Sequence, residues 1–399
     1  MNVLMFGWEF PPYSYGGLGV ACEILTKGLV KNKVKVKFVV PYSGKKKPQH
    51  LELISTNKEN IEINFVDSLI HEYINENDYE GKLRKLNEEI RSLYGINLYK
   101  EVYRYSQAAK EIALNSDYDI LHCHDWMTYL AGINAKKISK KPLIIHIHNT
   151  VFDRSKENPS VHEYNIEKAG FENADHIIAI SNRIKETLIH NYGIPDSKIS
   201  VVHWGIDHEN EFYNQKNPKK FQDKIVLFAG RVTSQKGPDY FIEAAKKVLD
   251  KYKNVRFVVV GNGDMLPKVI NRSIELGISN KINFTGWLNQ KDVFKAFKIA
   301  DLFVMPSVSE PFGLVALESI KNGTPVIVSK QSGVSEVLNN CLKVDFWDTN
   351  ELANKIINVL TRENLYNELK SKSEEEIKNF NTDKTAKKTI DIYRKILKL

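Results

Sequence analysis

Two carboxylates lie on either side of a predicted helix start late in the chain. Glu310 and Glu318 are eight positions apart in the stretch SEPFGLVALE, which we interpret as a loop followed by a helix that begins near Phe312. Free N–H groups at a helix start, here those of Gly313 and Leu314, attract an anion, whereas a carboxylate repels one. Carboxylates instead accept paired hydrogen bonds from vicinal hydroxyls. The pattern predicts a ligand whose anionic part meets the helix start and whose polyol parts meet the two acids, as in a nucleotide sugar.

Two cations follow an apolar strand in the sequence AGRVTSQKG. Arg231 offers a bidentate fork and Lys236 offers a point charge, and this pair suits a diphosphate. The stretch is not a phosphate-binding P-loop, because Gln235 stands where that motif requires a glycine before its lysine. We therefore expect the two cations to bind a diphosphate. Two exposed surface cations are the alternative.

Two glycine-rich turns each join a predicted strand to a predicted helix. YGGLG contributes Gly16 and Gly17, and GNGDM contributes Gly261 and Gly263. Glycine lets the backbone turn tightly and approach a ligand closely. We expect Gly16, Gly17 and Gly263 to line a substrate site, with a plain tight turn as the alternative in each case.

Histidines end two predicted strands in the first half of the chain. HCHDWMT contributes His124 and Asp125, and HIHNT contributes His148 and Asn149. A single histidine of this kind is commonly a core or loop residue with its hydrogen bonds satisfied. Two such strand ends on the same edge of a sheet favour a functional site instead.

Short apolar strands alternate with amphipathic helices along almost the whole chain, and this alternation is typical of doubly wound α/β sheets. Many of the strands are unbroken Val/Ile runs, as expected of parallel strands buried on both faces. The predicted strands are 2–6, 34–40, 119–123, 143–148, 175–181, 199–203, 224–229, 255–260, 281–285, 301–305 and 325–329. A polar segment after residue 207 separates two such sheets. We predict domains at 1–207 and 208–381, and a C-terminal helix, 382–399, that packs back on the first domain.

The composition is that of a soluble globular protein, with 399 residues, 42% of them hydrophobic and 27% charged. The three cysteines are far apart and lack metal-ligand spacing, which favours a reducing compartment. The first residues predict a strand and not a secretion signal, and no apolar run approaches the ~20 residues that span a bilayer. These features predict a cytoplasmic protein.

The net charge of +8 includes seven lysines between positions 31 and 47. Lys33, Lys35 and Lys37 alternate with apolar residues, so we expect them on one face of a strand. A solvated face is one interpretation, and a patch that weakly contacts an anionic membrane surface is the other. Nucleic acid is not an expected partner, because the chain has neither zinc-finger spacing nor an RNA-binding aromatic motif.

Taken together, these motifs resemble those of retaining glycosyltransferases of the GT-B fold, the glycogen and starch synthase type and its close relatives. The stretches GWEFPPYSYGGLG, HCHDW, GRVTSQKG and SEPFGLVALE occur in that group's order. The resemblance covers nearly the whole chain. It implies a GT-B fold, in which two doubly wound Rossmann-like domains, an acceptor-side domain and a nucleotide-sugar domain, face each other across a cleft.

The resemblance also implies how the donor diphosphate is held. Arg231 and Lys236 would bind it and stabilise the charge of the leaving group. Backbone groups at Gly17, Gly313 and Leu314 would help. The family requires no metal ion, and the resemblance implies no further cofactor.

Four further residues take roles from the resemblance. Glu318 would bind the nucleotide ribose, and Glu310 would hold donor sugar hydroxyls near the reacting carbon. His148 would contact the donor sugar near the scissile bond. Asp125 would line the acceptor side.

The implied activity is transfer of glucose from ADP-glucose or UDP-glucose to an α-glucan, as in glycogen or starch synthesis. The alternative is a lipid-linked or cell-surface glycan as acceptor. Ser14 and Tyr15 replace the Lys-Thr pair that ADP-glucose-using synthases carry before Gly-Gly, and the chain is short for a bacterial glycogen synthase. Two other classes remain open, a hydrolase that uses Glu310 and Glu318 and a dinucleotide-binding module without enzymatic activity.

Overall fold

The chain forms two compact α/β units. A computed structural model describes residues 1–11, 17–41, 48–56, 97–155, 158–209 and 221–399. Unit 1 comprises Met1–Gly205 together with Thr382–Leu399, and unit 2 comprises Ile206–Asn381. Gly16 and the lysines at 45–47, which carry two of the predictions above, lie outside the described residues.

Unit 1 contains a seven-stranded sheet in the order β3-β2-β1-β4-β5-β6-β7, and every pairing in it is parallel. Its strands are β1 (Asn2–Phe6), β2 (Lys35–Val40), β3 (Glu52–Ser55), β4 (Ile120–His124), β5 (Leu143–Ile147), β6 (His176–Ala179) and β7 (Ile199–Val201). Before the domain boundary, the described helices of the same unit are α1 (Gly17–Lys31), α2 (Leu98–Leu114), α3 (Trp126–Ser139), α4 (Val151–Arg154), α5 (Val161–Asn173) and α6 (Asn182–Tyr192).

Unit 2 contains a six-stranded parallel sheet in the order β10-β9-β8-β11-β12-β13. Its strands are β8 (Lys224–Ala229), β9 (Val255–Val260), β10 (Ile282–Gly286), β11 (Leu302–Met305), β12 (Val326–Ser329) and β13 (Leu342–Val344). Its helices are α7 (Pro238–Lys251), α8 (Leu266–Glu275), α9 (Gln290–Ile299), α10 (Leu314–Lys321), α11 (Thr349–Thr361) and α12 (Glu363–Glu376).

The central strands are buried along almost their whole length because helices cover both faces of each sheet. All five residues of β5 are buried, and so are all four of β11. Strand β2 alternates instead: Val36 and Phe38 are buried and Lys35 is exposed, as the sequence predicts. The next lysine, Lys37, lies 3.7 Å from a carboxylate oxygen of Glu52 on the edge strand β3.

Each sheet has one switch point, where the chain leaves one strand and later returns on its other side. The switch point of unit 1 lies between β1 and β4, and that of unit 2 lies between β8 and β11. Loops at the carboxyl ends of such a strand pair diverge and leave a crevice in which α/β proteins bind ligands. The predicted motifs HCHDW and AGRVTSQKG begin in the last residues of β4 and β8 and continue past them, and SEPFG follows β11.

The C-terminal helix α13 (Thr382–Leu397) belongs to unit 1. It packs on α1 where Gly28 lacks a side chain, since a Cβ at that position would lie 2.7 Å from the Cβ of Ala386. Asn32 also donates to Asp383 at 2.7 Å. Ile390 and Tyr393 of the predicted apolar stripe are buried.

Two further global features concern the cysteines and the lipid bilayer. All three cysteines are buried free thiols. Of the helices in the described ranges, not one is long and apolar enough to cross a bilayer.

Candidate functional site

An ion pair lies at the switch point of unit 2. The Nζ atom of Lys236 donates to Oε2 of Glu310 at 2.7 Å, and the hydroxyl of Ser307 lies 3.3 Å from the same oxygen. The side chains of Lys236 and Glu310 are only 19% and 8% exposed. An ammonium group has three N–H donors, so this pairing leaves two of them for a ligand.

Local backbone geometry places both partners of the pair. Lys236 ends a 3₁₀ turn, Ser234–Lys236, and Gly237 follows with φ of 66°, a left-handed conformation that favours glycine. A Cβ on Gly237 would lie 2.2 Å from the carbonyl oxygen of Pro306. This close approach brings the loop after β8 against the loop after β11. The backbone of Glu310 is held in turn by a bridge to Ser332.

Arg231 is connected to the same loop pair through Gln235. Its Nη2 donates to the side-chain oxygen of Gln235 at 3.0 Å, and the backbone oxygen of Gln235 accepts from the N–H of Val308 at 2.9 Å. Gln235 is buried, and it joins the cation loop to the acid loop. The sequence singled out this residue only as evidence against a P-loop, and its positioning role follows from the fold.

The helix after Glu310 begins two residues later than the sequence predicts. Helix α10 begins at Leu314, not near Phe312, because Gly313 adopts φ of 108° and serves as its N-cap. A Cβ at Gly313 would lie 2.9 Å from the methyl carbon of Met305 and 3.3 Å from Cγ of Glu310. Gly313 therefore allows the helix to begin directly beside the Glu310 side chain.

Glu318 lies in the second turn of α10 and is half-buried. Within the described part of the chain its carboxylate has no hydrogen-bond partner. Burial among protein atoms disfavours its charged form and raises its pKa from 4.5 to about 7. A carboxyl group in this condition gains from a ligand that offers hydroxyl donors.

The glycines of GNGDM pack against protein backbone. A Cβ on Gly261 would lie 1.8 Å from the carbonyl oxygen of Gly230, and one on Gly263 would lie 2.3 Å from that of Val232. The N–H of Val232 also donates to the Asn262 carbonyl at 2.9 Å. These glycines join the ends of β8 and β9, and a substrate contact for Gly263 stays a prediction.

Trp287 was not predicted from the sequence. It directly follows β10 and is 68% exposed. The carbonyl of its neighbour Gly286 accepts from the N–H of Gly261 at 2.9 Å, so the backbone before Trp287 lies beside the glycine turn. The sequence signal that could have identified this residue is a tryptophan just after a predicted strand.

In unit 1, the structure brings His148 and Asp125 together at the ends of β5 and β4. Oδ1 of Asp125 accepts from the backbone N–H of His148 at 2.7 Å, and Nε2 of His148 lies 3.0 Å from Nδ1 of His124. Asp125 has φ of 59°, an uncommon conformation for a non-glycine residue. This backbone conformation orients the Asp125 carboxylate toward the next strand.

His148 is one of four buried histidines that lie together. His122 and His124 alternate along β4, and His146 and His148 alternate along and just beyond β5, with His124 opposite His146 in the register. The ring of Trp204 lies 5.2 Å from that of His146, nearly parallel to it. Burial lowers the pKa of His124 to about 3. The pKa values of His122, His146 and His148 are also well below the usual value, mainly because of burial and secondly because of the neighbouring imidazoles.

At the start of α1 the structure adds a residue that the sequence did not indicate. Oε1 of the buried Glu9 accepts from the N–H of Gly19 at 3.0 Å. A carboxylate thus already binds one N–H of this helix start, where we expected an anionic ligand. Gly17 is exposed, and a Cβ there would meet no atom within 4 Å.

Comparisons with known proteins agree with this division into two units. Residues 209–376 match the family described as glycosyl transferases group 1, and residues 15–210 match glycosyltransferase family 4. An uncharacterized glycosyltransferase of Methanocaldococcus jannaschii, MJ1607, is 30% identical over 99% of this chain and 98% of its own length. The Escherichia coli UDP-Gal:alpha-D-GlcNAc-diphosphoundecaprenol alpha-1,3-galactosyltransferase is 27% identical over 77% of this chain and 84% of its own length.

Solved structures show the same fold. A sucrose-phosphate synthase from Thermosynechococcus elongatus superposes with a TM-score of 0.76 at 19% identity, covering 99% of this chain and 98% of the other. Anabaena Alr3699/HepE in complex with UDP-glucose superposes with a TM-score of 0.72 at 18% identity, covering 99% of this chain and 100% of the other. The two Rossmann-like units therefore have the GT-B fold.

Proposed function

We propose that this chain transfers a hexose, specifically glucose, from a nucleotide-diphosphate sugar donor to a glycan acceptor with retention of anomeric configuration. The chain belongs to the group 1 glycosyl transferases. The observation that carries the proposal is the Lys236–Glu310 pair at the switch point of unit 2. A cation and a carboxylate held side by side match the adjoining diphosphate and hydroxyls of a sugar nucleotide.

The cations serve the leaving group. When the bond between the sugar and the diphosphate breaks, negative charge develops on the diphosphate. In the proposed mechanism, the two remaining donors of Lys236 and the guanidinium of Arg231 stabilise this charge, together with backbone N–H groups of Gly313 and Leu314. Fixed donors of this kind lower the barrier because they need no reorganisation during the reaction.

Glu310 has two parts to play in this proposal. Its Oε2 fixes the position of Lys236, and its Oε1 accepts from hydroxyls of the donor sugar. The pairing holds the two groups side by side, and both side chains are largely shielded from solvent. The same arrangement weighs against a hydrolase, since Glu310 and Glu318 acting as an acid-base pair would leave the cation without a role.

The nucleoside lies beyond the diphosphate. We propose that Glu318, whose carboxylate lacks a partner in the described structure, accepts from the ribose hydroxyls. We propose further that the base stacks on the exposed indole of Trp287. Stacking between a base and an aromatic side chain is typically worth ~1–3 kcal/mol.

Unit 1 supplies the groups for the sugar and the acceptor. His148 is proposed to contact the donor sugar, and Asp125 to line the acceptor side. The bond between the Asp125 carboxylate and the His148 backbone gives Asp125 a second, positioning role. Gly16 and Gly17 are proposed to approach the donor through their backbone.

We propose UDP-glucose as the first donor to test and ADP-glucose as the second. A structural neighbour was solved with UDP-glucose, which supports the uridine nucleotide. The Ser14-Tyr15 departure counts against adenine.

Two acceptor classes follow from different observations. The order of the motifs favours an α-glucan. A relative that transfers galactose to a diphosphoundecaprenol-linked sugar favours a lipid-linked glycan, as does the exposed lysine Lys35 on β2.

A panel assay tests the proposal. The protein is incubated with UDP-glucose, UDP-galactose and ADP-glucose, each with glycogen or with a lipid-diphosphate sugar, and nucleotide release is measured. The anomeric configuration of the product, read by NMR, tests retention. Lys236→Ala is expected to lose ~10²–10³ in rate, whereas Lys268→Ala, an exposed lysine on α8, serves as the matched control. Absence of nucleotide release with every donor would contradict the proposal.

A further inference from the structure

Three histidines of unit 1 form a compact group in the protein interior. His122, His124 and His146 have no exposed surface, and one ring nitrogen from each lies within 4.8 Å of the others. They come from the neighbouring strands β4 and β5. Because side chains alternate along a strand, His122 and His124 lie on one face of the sheet, and the register places His146 beside His124 on the same face.

The ring nitrogens of this group are incompletely paired. Nε2 of His122, Nε2 of His124 and both nitrogens of His146 are buried without a hydrogen-bond partner in the described structure. A neutral imidazole has one donor nitrogen and one acceptor nitrogen, and buried polar atoms in native proteins nearly always find a partner. Four unpartnered nitrogens in one place point to a bound species that they ligate.

The other nitrogens of the two β4 histidines are paired. Nδ1 of His122 contacts the hydroxyl of Tyr393 on α13, and Nδ1 of His124 lies 3.0 Å from Nε2 of His148. Histidine ligands of metal ions have this arrangement: one nitrogen binds the metal, and the N–H of the other donates to a neighbouring acceptor that fixes the ring. The pairing thus leaves the two Nε2 atoms, together with His146, as the ligand atoms.

We propose that His122, His124 and His146 bind one divalent transition-metal ion, with Zn²⁺ as the first candidate. Three neutral imidazoles suit zinc, copper, nickel and cobalt, and not the oxygen-preferring magnesium or calcium. In a tetrahedral zinc site with Zn–N of ~2.0–2.1 Å, ligand nitrogens lie ~3.3 Å apart. Metal binding therefore draws the three rings together by rotation about their side-chain torsions.

The site has a structural consequence. It links β4 to β5, and through Tyr393 it links both strands to the C-terminal helix. His148 and Asp125, the residues proposed above for sugar transfer, are not among its ligands, and His148 contacts the site through Nδ1 of His124. The metal stabilises unit 1 whether or not the chain is a transferase.

A second ligand set shares one of these residues. Cys22, His124 and His148 also offer ligand atoms within 4.8 Å of one another. This set would leave both ring nitrogens of His146 without a partner. The three-histidine set is therefore the one we propose, and a Co²⁺ spectrum distinguishes the two, because only a cysteine ligand gives a thiolate-to-cobalt charge-transfer band.

The test uses the full chain, purified without a histidine tag, stripped with EDTA and dialysed against Zn²⁺. Metal analysis is expected to give one Zn²⁺ per chain, and Zn²⁺ is expected to raise the Tm of the stripped protein. His146→Asn is expected to abolish both effects. His176→Asn is the matched control, because His176 is a buried histidine on β6 that bonds Ser200 and lies outside the cluster.

Tyr393→Phe keeps the proposal testable if His146→Asn does not fold. It leaves all three ligands in place but removes the group that orients His122, and loss of such a partner typically weakens metal affinity ~10–100-fold. The proposal is overturned if the parent protein binds no Zn²⁺, if a folded His146→Asn retains the same stoichiometry and affinity, or if the Co²⁺ form shows the thiolate band. A parent-like affinity in Tyr393→Phe also overturns it.

Discussion

Replacing Glu318 by glutamine changes how the stability of unit 2 depends on pH. Burial raises the pKa of Glu318 from 4.5 to about 7, so between these values the folded protein holds a proton that the unfolded chain has released. Unit 2 therefore loses stability as pH rises from 4.5 to 7. One pKa unit corresponds to 1.36 kcal/mol, which sets an upper limit of about 3 kcal/mol, and the half-buried position reduces the loss below that limit.

Glu318→Gln removes the titrating group but keeps the shape of the side chain. The variant is expected to match the parent near pH 4.5 and to exceed its free energy of unfolding by about 1–2 kcal/mol at pH 8. Urea unfolding at both pH values measures this difference, and hydrogen exchange of the β12 amides restricts the readout to unit 2. Glu172→Gln, at an exposed glutamate of unit 1, is the control. The reasoning would be refuted if the free energy of unfolding of Glu318→Gln changed between pH 4.5 and pH 8 by the same amount as that of the parent.

The same substitution tests the proposed ribose contact. Hydrogen bonds to charged groups typically contribute ~1.5–3 kcal/mol, so the variant is expected to raise the KM for the donor about tenfold or more. The stability gain and the loss of donor binding are opposite in sign. Their coexistence would mark Glu318 as a group kept for ligand binding at the expense of folding stability.

Three further predictions follow from single contacts. Glu310→Gln leaves the Lys236 ammonium without its buried partner and is expected to destabilise unit 2 by ~3–5 kcal/mol in thermal or urea unfolding. The double variant with Lys236→Met is expected to recover part of that loss. Equal stability of Glu310→Gln and the parent would contradict the pairing. Gly261→Ala is expected to fail to fold or to unfold at much lower temperature, because its Cβ would lie 1.8 Å from a carbonyl oxygen; a normal melting curve would contradict this. Trp287→Ala is expected to raise the KM for the donor about tenfold through lost base stacking. Trp347→Ala, at another exposed indole, is the control and is expected to leave this KM unchanged. Equal effects of the two variants on the KM would count against the stacking role.

Much of the fold follows from the sequence because the buried parallel strands are continuous apolar runs. The limits of β1, β8 and β9 agree with the prediction to the residue, and the other predicted strands agree within two residues at each end. The two strands in the described ranges that the sequence missed, β3 and β13, are edge strands of four and three residues, ELIS and LKV. Such segments carry little periodicity, and their assignment depends on pairing with a neighbour.

The candidate site was predictable in its parts but not in its pairings. Sequence spacing placed Lys236 and Glu310 each after an apolar strand, yet it could not show that the two residues pair with each other across 74 residues. The sequences HCH and HIH indicate two histidines on one face of each strand. Only the register that sets His124 opposite His146 shows that they form one cluster. These contacts depend on tertiary structure, which sequence periodicity does not determine.

The central claim is that Lys236, held by Glu310, stabilises a departing nucleotide diphosphate. The most direct measurement is the turnover rate of nucleotide release from UDP-glucose, with glycogen or a lipid-linked sugar as acceptor, in parent and Lys236→Ala proteins of verified fold. We predict release by the parent and a turnover rate lower by ~10²–10³ in the variant, with product of retained configuration. Equal rates in the two proteins, or a parent that releases no nucleotide from UDP-glucose or ADP-glucose, would contradict the claim.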